Sequence, residues 1–133
     1  MYSKELGTYR KVEKATGSPR EIESKVLIKG AMKLKYCQEH WDSENFKERL
    51  HEALKYNQRI WTIFQADLGR IENLLPKDLK LNLLRLSALI DRHIFSSMAR
   101  PSPESLNQII NINLGIAAGL GKTPEDQLEA VSD

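Results

Sequence analysis

The sequence predicts an all-α fold: a small antiparallel bundle of about four main helices, flanked by a mobile N-terminal arm (residues 1–17) and a mobile acidic tail (residues 121–133). Three observations carry this. Apolar residues recur at steps of three and four over long stretches, the period of a helix face. No useful length of chain alternates apolar and polar residues as a half-buried strand would. Prolines stand where periodic segments begin, at Pro19, Pro76 and the Pro101/Pro103 pair, and proline suits a first helical turn far better than a helix interior.

The first helix opens at Ser18-Pro19-Arg20-Glu21, with Ser18 as N-cap and Glu21 reaching back as a capping box. Ile22, Val26, Ala31, Leu34 and Cys37 form its stripe, Gly30 leaves room for a close neighbour, and the helix fades near His40. Residues 1–17 lack comparable periodicity. The second helix opens at Asp42 or Ser43 and has the best periodicity of the chain: Phe46, Leu50, Ala53, Asn57, Ile60, Phe64 and Leu68, widened by Leu54 and Trp61. Pro76 opens the third, whose stripe is Leu79, Leu83, Leu86, Ile90 and Ile94. Leu81, Leu84, Leu89 and Phe95 lie off that stripe, so this helix is central or covered by a partner. Ser102 caps the fourth, which carries Leu106, Ile109, Ile110, Asn113, Ile116, Ala117 and Leu120, and Gly119 and Gly121 stop it.

With 133 residues, 41% apolar and 29% charged, the chain has the size and composition of one soluble domain with a real core. A single cysteine, Cys37, excludes an internal disulfide. With no signal peptide and no apolar run of about 20 residues, the expectation is a cytoplasmic protein without membrane insertion. Charge is nearly balanced overall, but residues 1–35 carry nine bases and four acids. Lys25, Lys29, Lys33 and Lys35 could contact RNA phosphates. A solvated helix face explains the same residues, and the one aromatic among them, Tyr36, offers little for base stacking.

Enzymatic motifs are weak. Gly119-Leu120-Gly121-Lys122-Thr123 resembles the end of a phosphate-binding loop, but Ile116 stands where its first glycine belongs, and a helix precedes it instead of a strand. Cys37 and His40 have a spacing found in metal sites, yet His51 and His93 do not supply a second close-spaced pair. No nucleophile turn and no paired carboxylates stand out. The chain reads as a non-enzyme without cofactor or metal.

Two asparagines, Asn57 and Asn113, interrupt the two clearest apolar stripes. A buried amide needs hydrogen-bond partners. Either the two pair with each other or with backbone and fix helix register, or one of them lines a groove and bonds a partner. Tyr56 and Trp61 carry the same ambiguity, because aromatics with polar edges suit both cores and interfaces.

Four segments together resemble one family: Thr16-Gly17-Ser18-Pro19-Arg20-Glu21-Ile22-Glu23; Leu54 to Phe64, with Tyr56-Asn57 and Trp61; Asn73-Leu74-Leu75-Pro76 with Leu79 and Asn82; and Leu106 to Asn113 with Ile116-Ala117-Ala118-Gly119-Leu120. In this order and spacing, over about residues 9–120, the chain resembles the flagellar biosynthesis regulator FlaF family of alphaproteobacteria. One departure is Leu114, where a basic residue is expected. The resemblance implies a regulator of flagellin synthesis and export. The favoured mechanism is binding of unassembled flagellin as a secretion chaperone. The alternative is post-transcriptional regulation of flagellin messenger RNA, directly or through the partner regulator FlbT. Expected flagellin contacts are Tyr56, Asn57, Trp61, Phe64, Leu84 and Asn113. The apolar third helix leaves monomer and homodimer both open.

Overall fold

The computed structural model describes residues 19–120. Four α-helices run through them: α1 (Pro19–Glu39), α2 (Phe46–Leu68), α3 (Lys77–Ala99) and α4 (Asn107–Leu120), with a 3-10 turn at Glu104–Leu106 before α4. α1 packs on α2, α2 on α3 and α3 on α4, and α4 closes back on α1 in the most extensive of the four interfaces. The start of α1 meets the end of α4, where the Ser24 hydroxyl donates to the Ala117 carbonyl at 2.8 Å. Its end meets the start of α4, where the Gln38 amide donates to Asn107 at 2.7 Å. The result is the antiparallel four-helix bundle that the periodicity predicts. The Ser18 cap, the arm and the tail lie outside the described residues.

Most boundaries fall where the proline and capping signals put them. α1 begins on Pro19, and Pro76 is the N-cap of α3. Ser102 caps the turn leading into α4: its hydroxyl accepts from the Ser105 amide at 3.1 Å, and the Ser105 hydroxyl donates to the Ser102 carbonyl at 2.7 Å. The start of α2 differs from expectation. Residues 40–45 remain in turns, closed by backbone bonds from Ser43 to His40 and from Phe46 to Ser43, and Asn45 is the N-cap. Trp41 folds over Phe46, ring centroids 4.2 Å apart. The Ser43 hydroxyl is buried without a partner among the described residues and caps nothing. Gly119 is helical and does not stop α4, and Gly121 lies outside the described residues.

The core is built from Leu27, Leu34, Leu54, Trp61, Ile90, Ile94, Leu106 and Ile109. On α1 the deepest position is Leu27, and the expected Val26 is only half-buried. The larger correction concerns α3. Its second half is buried at Ser87, Ile90, Ile94 and Ser97, whereas Leu83 and Leu86 are half-buried and Leu79 is exposed. Length explains this. α3 has 23 residues and α4 has 14. At about 1.5 Å per α-helical residue and 2.0 Å per 3-10 residue, α4 with its leading turn falls short of α3 by roughly 8 Å over the described residues. The bundle is therefore closed at the end holding Cys37 and Leu106, and open at the end where α3 begins.

A buried amide lock and an apolar slot at the open end of the bundle

Gly30, Asn57 and Asn113 meet where α1, α2 and α4 converge. The Asn57 amide nitrogen donates to the Ala53 carbonyl at 2.8 Å and to the Gly30 carbonyl at 3.1 Å. The Asn113 amide nitrogen donates to Asn57 Oδ1 at 2.6 Å and to the Leu27 carbonyl at 3.2 Å. Asn113 Oδ1 accepts from the Trp61 indole at 2.9 Å. Both amide nitrogens use both protons and both amide oxygens are engaged. That removes the desolvation cost that a lone buried amide would carry. Of the two sequence readings for these asparagines, mutual pairing is the one observed. Both have no exposed surface and Trp61 has 1%, so Asn57 and Asn113 offer nothing to a partner in this conformation. Here the expected contact role gives way to an architectural one, because every polar atom is already used internally.

One turn along α2, Phe64 meets Trp61 edge-on, centroids 5.8 Å apart at 89°. Together they floor an apolar slot walled by Leu68, Leu75, Leu83, Ile116 and Leu120 and rimmed by Arg20, Glu23 and Asp67. Its open space is ≈ 400 Å³, within the range of about 300–1,000 Å³ seen for ligand pockets. The slot exists because α4 does not cover the first half of α3. Asn73 shapes its loop wall, donating to Asp67 Oδ2 and accepting from the Leu75 amide, both at 3.1 Å. A broader hollow adjoins it, sharing Arg20, Glu23 and Asp67 and adding Arg70, Glu72, Asn73 and Leu74. Further apolar surface lies exposed on the same segments, at Ile71, Leu74, Leu79, Leu81 and Leu84.

Of the expected contact residues, Trp61 and Phe64 come together in the slot. Leu84 is exposed on α3 next to a lining residue. Tyr56 lies elsewhere, half-buried on the α1–α2 face, with Lys33 Nζ 5.0 Å and Lys29 Nζ 5.7 Å from its ring centroid. Burial pushes its phenol up from the ordinary value. Sequence reasoning did not single out Leu75, Ile116 and Leu120 as a shared surface. Ile116 and Leu120 stand on the predicted α4 stripe, but nothing in local sequence shows that a stripe outruns its cover.

The four lysines do not form one patch. Lys33 pairs with Glu52 at 3.5 Å. Lys35 follows Lys33 by two residues, which places it on nearly the opposite side of α1. Tyr36 is no free stacking platform either. His40 stacks on its ring at 3.8 Å, the Arg49 guanidinium sits 5.0 Å from its centroid, and Arg49 donates to its hydroxyl at 2.7 Å. Beneath this face Cys37 is buried. Desolvation pushes its thiol above the ordinary value, outweighing the opposing pull of Arg49. Among the described residues no group of three His, Cys, Asp or Glu side chains could hold a metal ion. No helix there is long and apolar enough to cross a membrane.

Comparison with curated proteins and with solved structures returned no match. A family model, described as flagellar protein FlaF, matches residues 6–120. That span takes in all four helices, the amide lock and every residue lining the slot, and it identifies the chain as a member of the flagellar protein FlaF family.

Proposed function

We propose that this flagellar protein binds unassembled flagellin, acting as a non-enzymatic secretion chaperone that holds an amphipathic flagellin segment at the open end of the bundle. The observation that carries the reading is the slot itself. Leu68, Leu75, Leu83, Ile116 and Leu120 surround an aromatic floor, with leucines exposed along α3 beside it. Contiguous exposed apolar surface with a polar rim is the mark of an interaction site. A helix laid over it would insert one apolar side chain per turn. Family membership supplies the flagellar context. Ordering a partner segment costs free energy, which keeps such a complex reversible.

The test is titration of purified flagellin, intact and with shortened termini, against the chain and its Leu83→Glu variant. The expected result is micromolar binding that is lost when the termini are shortened and weakened at least about tenfold by L83E, as for a charge placed at an apolar contact. Absence of binding to intact flagellin at micromolar concentration refutes the proposal. The messenger-RNA reading gains no comparable support, since its lysines are divided between two sides of α1 and Lys33 is engaged by Glu52.

A further inference from the structure

Both ends of the described chain lie at the slot: Arg20, one residue into α1, and Leu120, the last residue of α4, line it. Residues 1–18 and 121–133 therefore depart beside an uncovered apolar surface. The two segments are chemically unlike. Residues 121–133 have Gly121 and Pro124 at their start, four acids (Glu125, Asp126, Glu129, Asp133) against Lys122, and only Leu128 and Val131 as large apolar residues. Residues 1–18 carry Tyr2, Leu6, Tyr9 and Val12 at steps of four, three and three, the spacing of one helix face. They also carry Lys4, Arg10, Lys11 and Lys14 against Glu5 and Glu13. The hollow beside the slot presents Glu23, Asp67 and Glu72 against Arg20 and Arg70. Its small acidic excess suits the basic segment and opposes the acidic one.

We propose that residues 1–18 are an internal ligand of the slot, seating the Tyr2–Leu6–Tyr9–Val12 stripe over Leu75, Leu83 and Leu120, so that an external segment must displace them. The reach suffices. Ten residues from Tyr2 to Val12 span about 15 Å as a helix, and the linker to Arg20 is short enough for an effective concentration on the order of millimolar. The inference deepens the flagellin-docking reading of the same site, and rests on it only for the displacement step.

The experiment uses the full chain with a nitroxide attached at Ser3→Cys in a Cys37→Ala background, read by paramagnetic broadening of leucine methyl signals. Expected is a loss of more than half the signal at Leu75, Leu83 and Leu120, reversed by Leu6→Asp with Tyr9→Asp. Broadening that is absent, or that survives L6D/Y9D and so reflects tethering alone, overturns the proposal whatever flagellin does. Broadening that L6D/Y9D removes supports it even where flagellin fails to bind. Where flagellin binds, the L6D/Y9D chain takes it on the order of tenfold more tightly, because the competent fraction rises. Equal affinity of the two chains counts against displacement.

Discussion

Replacing Gly30 by alanine sets two effects of opposite sign against each other. In a helix interior alanine is favoured over glycine by about 1 kcal/mol. Here the added Cβ would stand 2.5 Å from Asn57 Oδ1, 3.0 Å from Asn113 Nδ2 and 3.1 Å from Asn57 Cγ. None of these atoms is the loose end of a flexible chain. Asn57 is held by Ala53, Gly30 and Asn113, and Asn113 by Leu27, Asn57 and Trp61. Relief requires Asn57 to swing away, which breaks the 2.6 Å amide–amide bond and leaves a buried polar atom unpaired at a cost of about 1–3 kcal/mol. Overpacking adds a further 1–3 kcal/mol or so. The clash wins, and G30A loses about 2–4 kcal/mol net of the propensity gain. Urea denaturation followed by circular dichroism reads this as a lower midpoint at unchanged slope. A double-mutant cycle sharpens it: in an Asn57→Ala background the closest atom is gone, and the cost of G30A falls below about 1 kcal/mol. A G30A chain as stable as the parent, or an undiminished cost in the N57A background, would refute the reasoning.

Trp61→Phe removes the donor to Asn113 Oδ1 and leaves a smaller ring, so it costs about 2–4 kcal/mol, measured by thermal and urea unfolding. Ser24→Ala removes only the bond to the Ala117 carbonyl, and a loss of about 1 kcal/mol is expected in the same assay. Thiol labelling of Cys37 should be far slower in the native chain than in urea, because the thiol is both buried and held protonated; equal rates would contradict its burial. Stability should fall as pH rises above the ordinary thiol and phenol values. There the unfolded chain loses protons from Cys37 and Tyr56 that the folded chain, with both values raised, retains. Urea midpoints between neutral and strongly alkaline pH check this, and Cys37→Ala should flatten the thiol part of the decline.

The sequence made the helices legible because each has its own period and its own stop. Pro19, Pro76 and Pro103 act through local backbone geometry, so their effect survives without knowledge of the fold. The pairing of Asn57 with Asn113 was legible for a different reason: two amides on apolar stripes have few other ways to be satisfied. Cover was not legible. Leu79 and Leu83 stand on the same stripe as Ile90 and Ile94, yet only the latter are buried, because burial depends on how far α4 reaches along α3. The exchange of Val26 for Leu27 has the same origin. Adjacent apolar residues differ by 100° around a helix, and which one faces inward is decided by the neighbours it finds. The slot arises from that kind of tertiary mismatch, and no motif announces it.

The amide lock also has a mechanical consequence. It ties α1, α2 and α4 together through bonds that cannot be exchanged for water without opening the core, so these three helices cannot slide past one another by a turn. α3 has no share in it. Its printed polar ties to α2 are the Gln65 bonds to Ser87 and Asp91, near the middle of its length. From that pin the segment carrying Leu79 and Leu83 can tilt outward as the arm of a lever, while Ile90 and Ile94 stay seated as its fulcrum. Widening of the slot then moves one jaw against a fixed one.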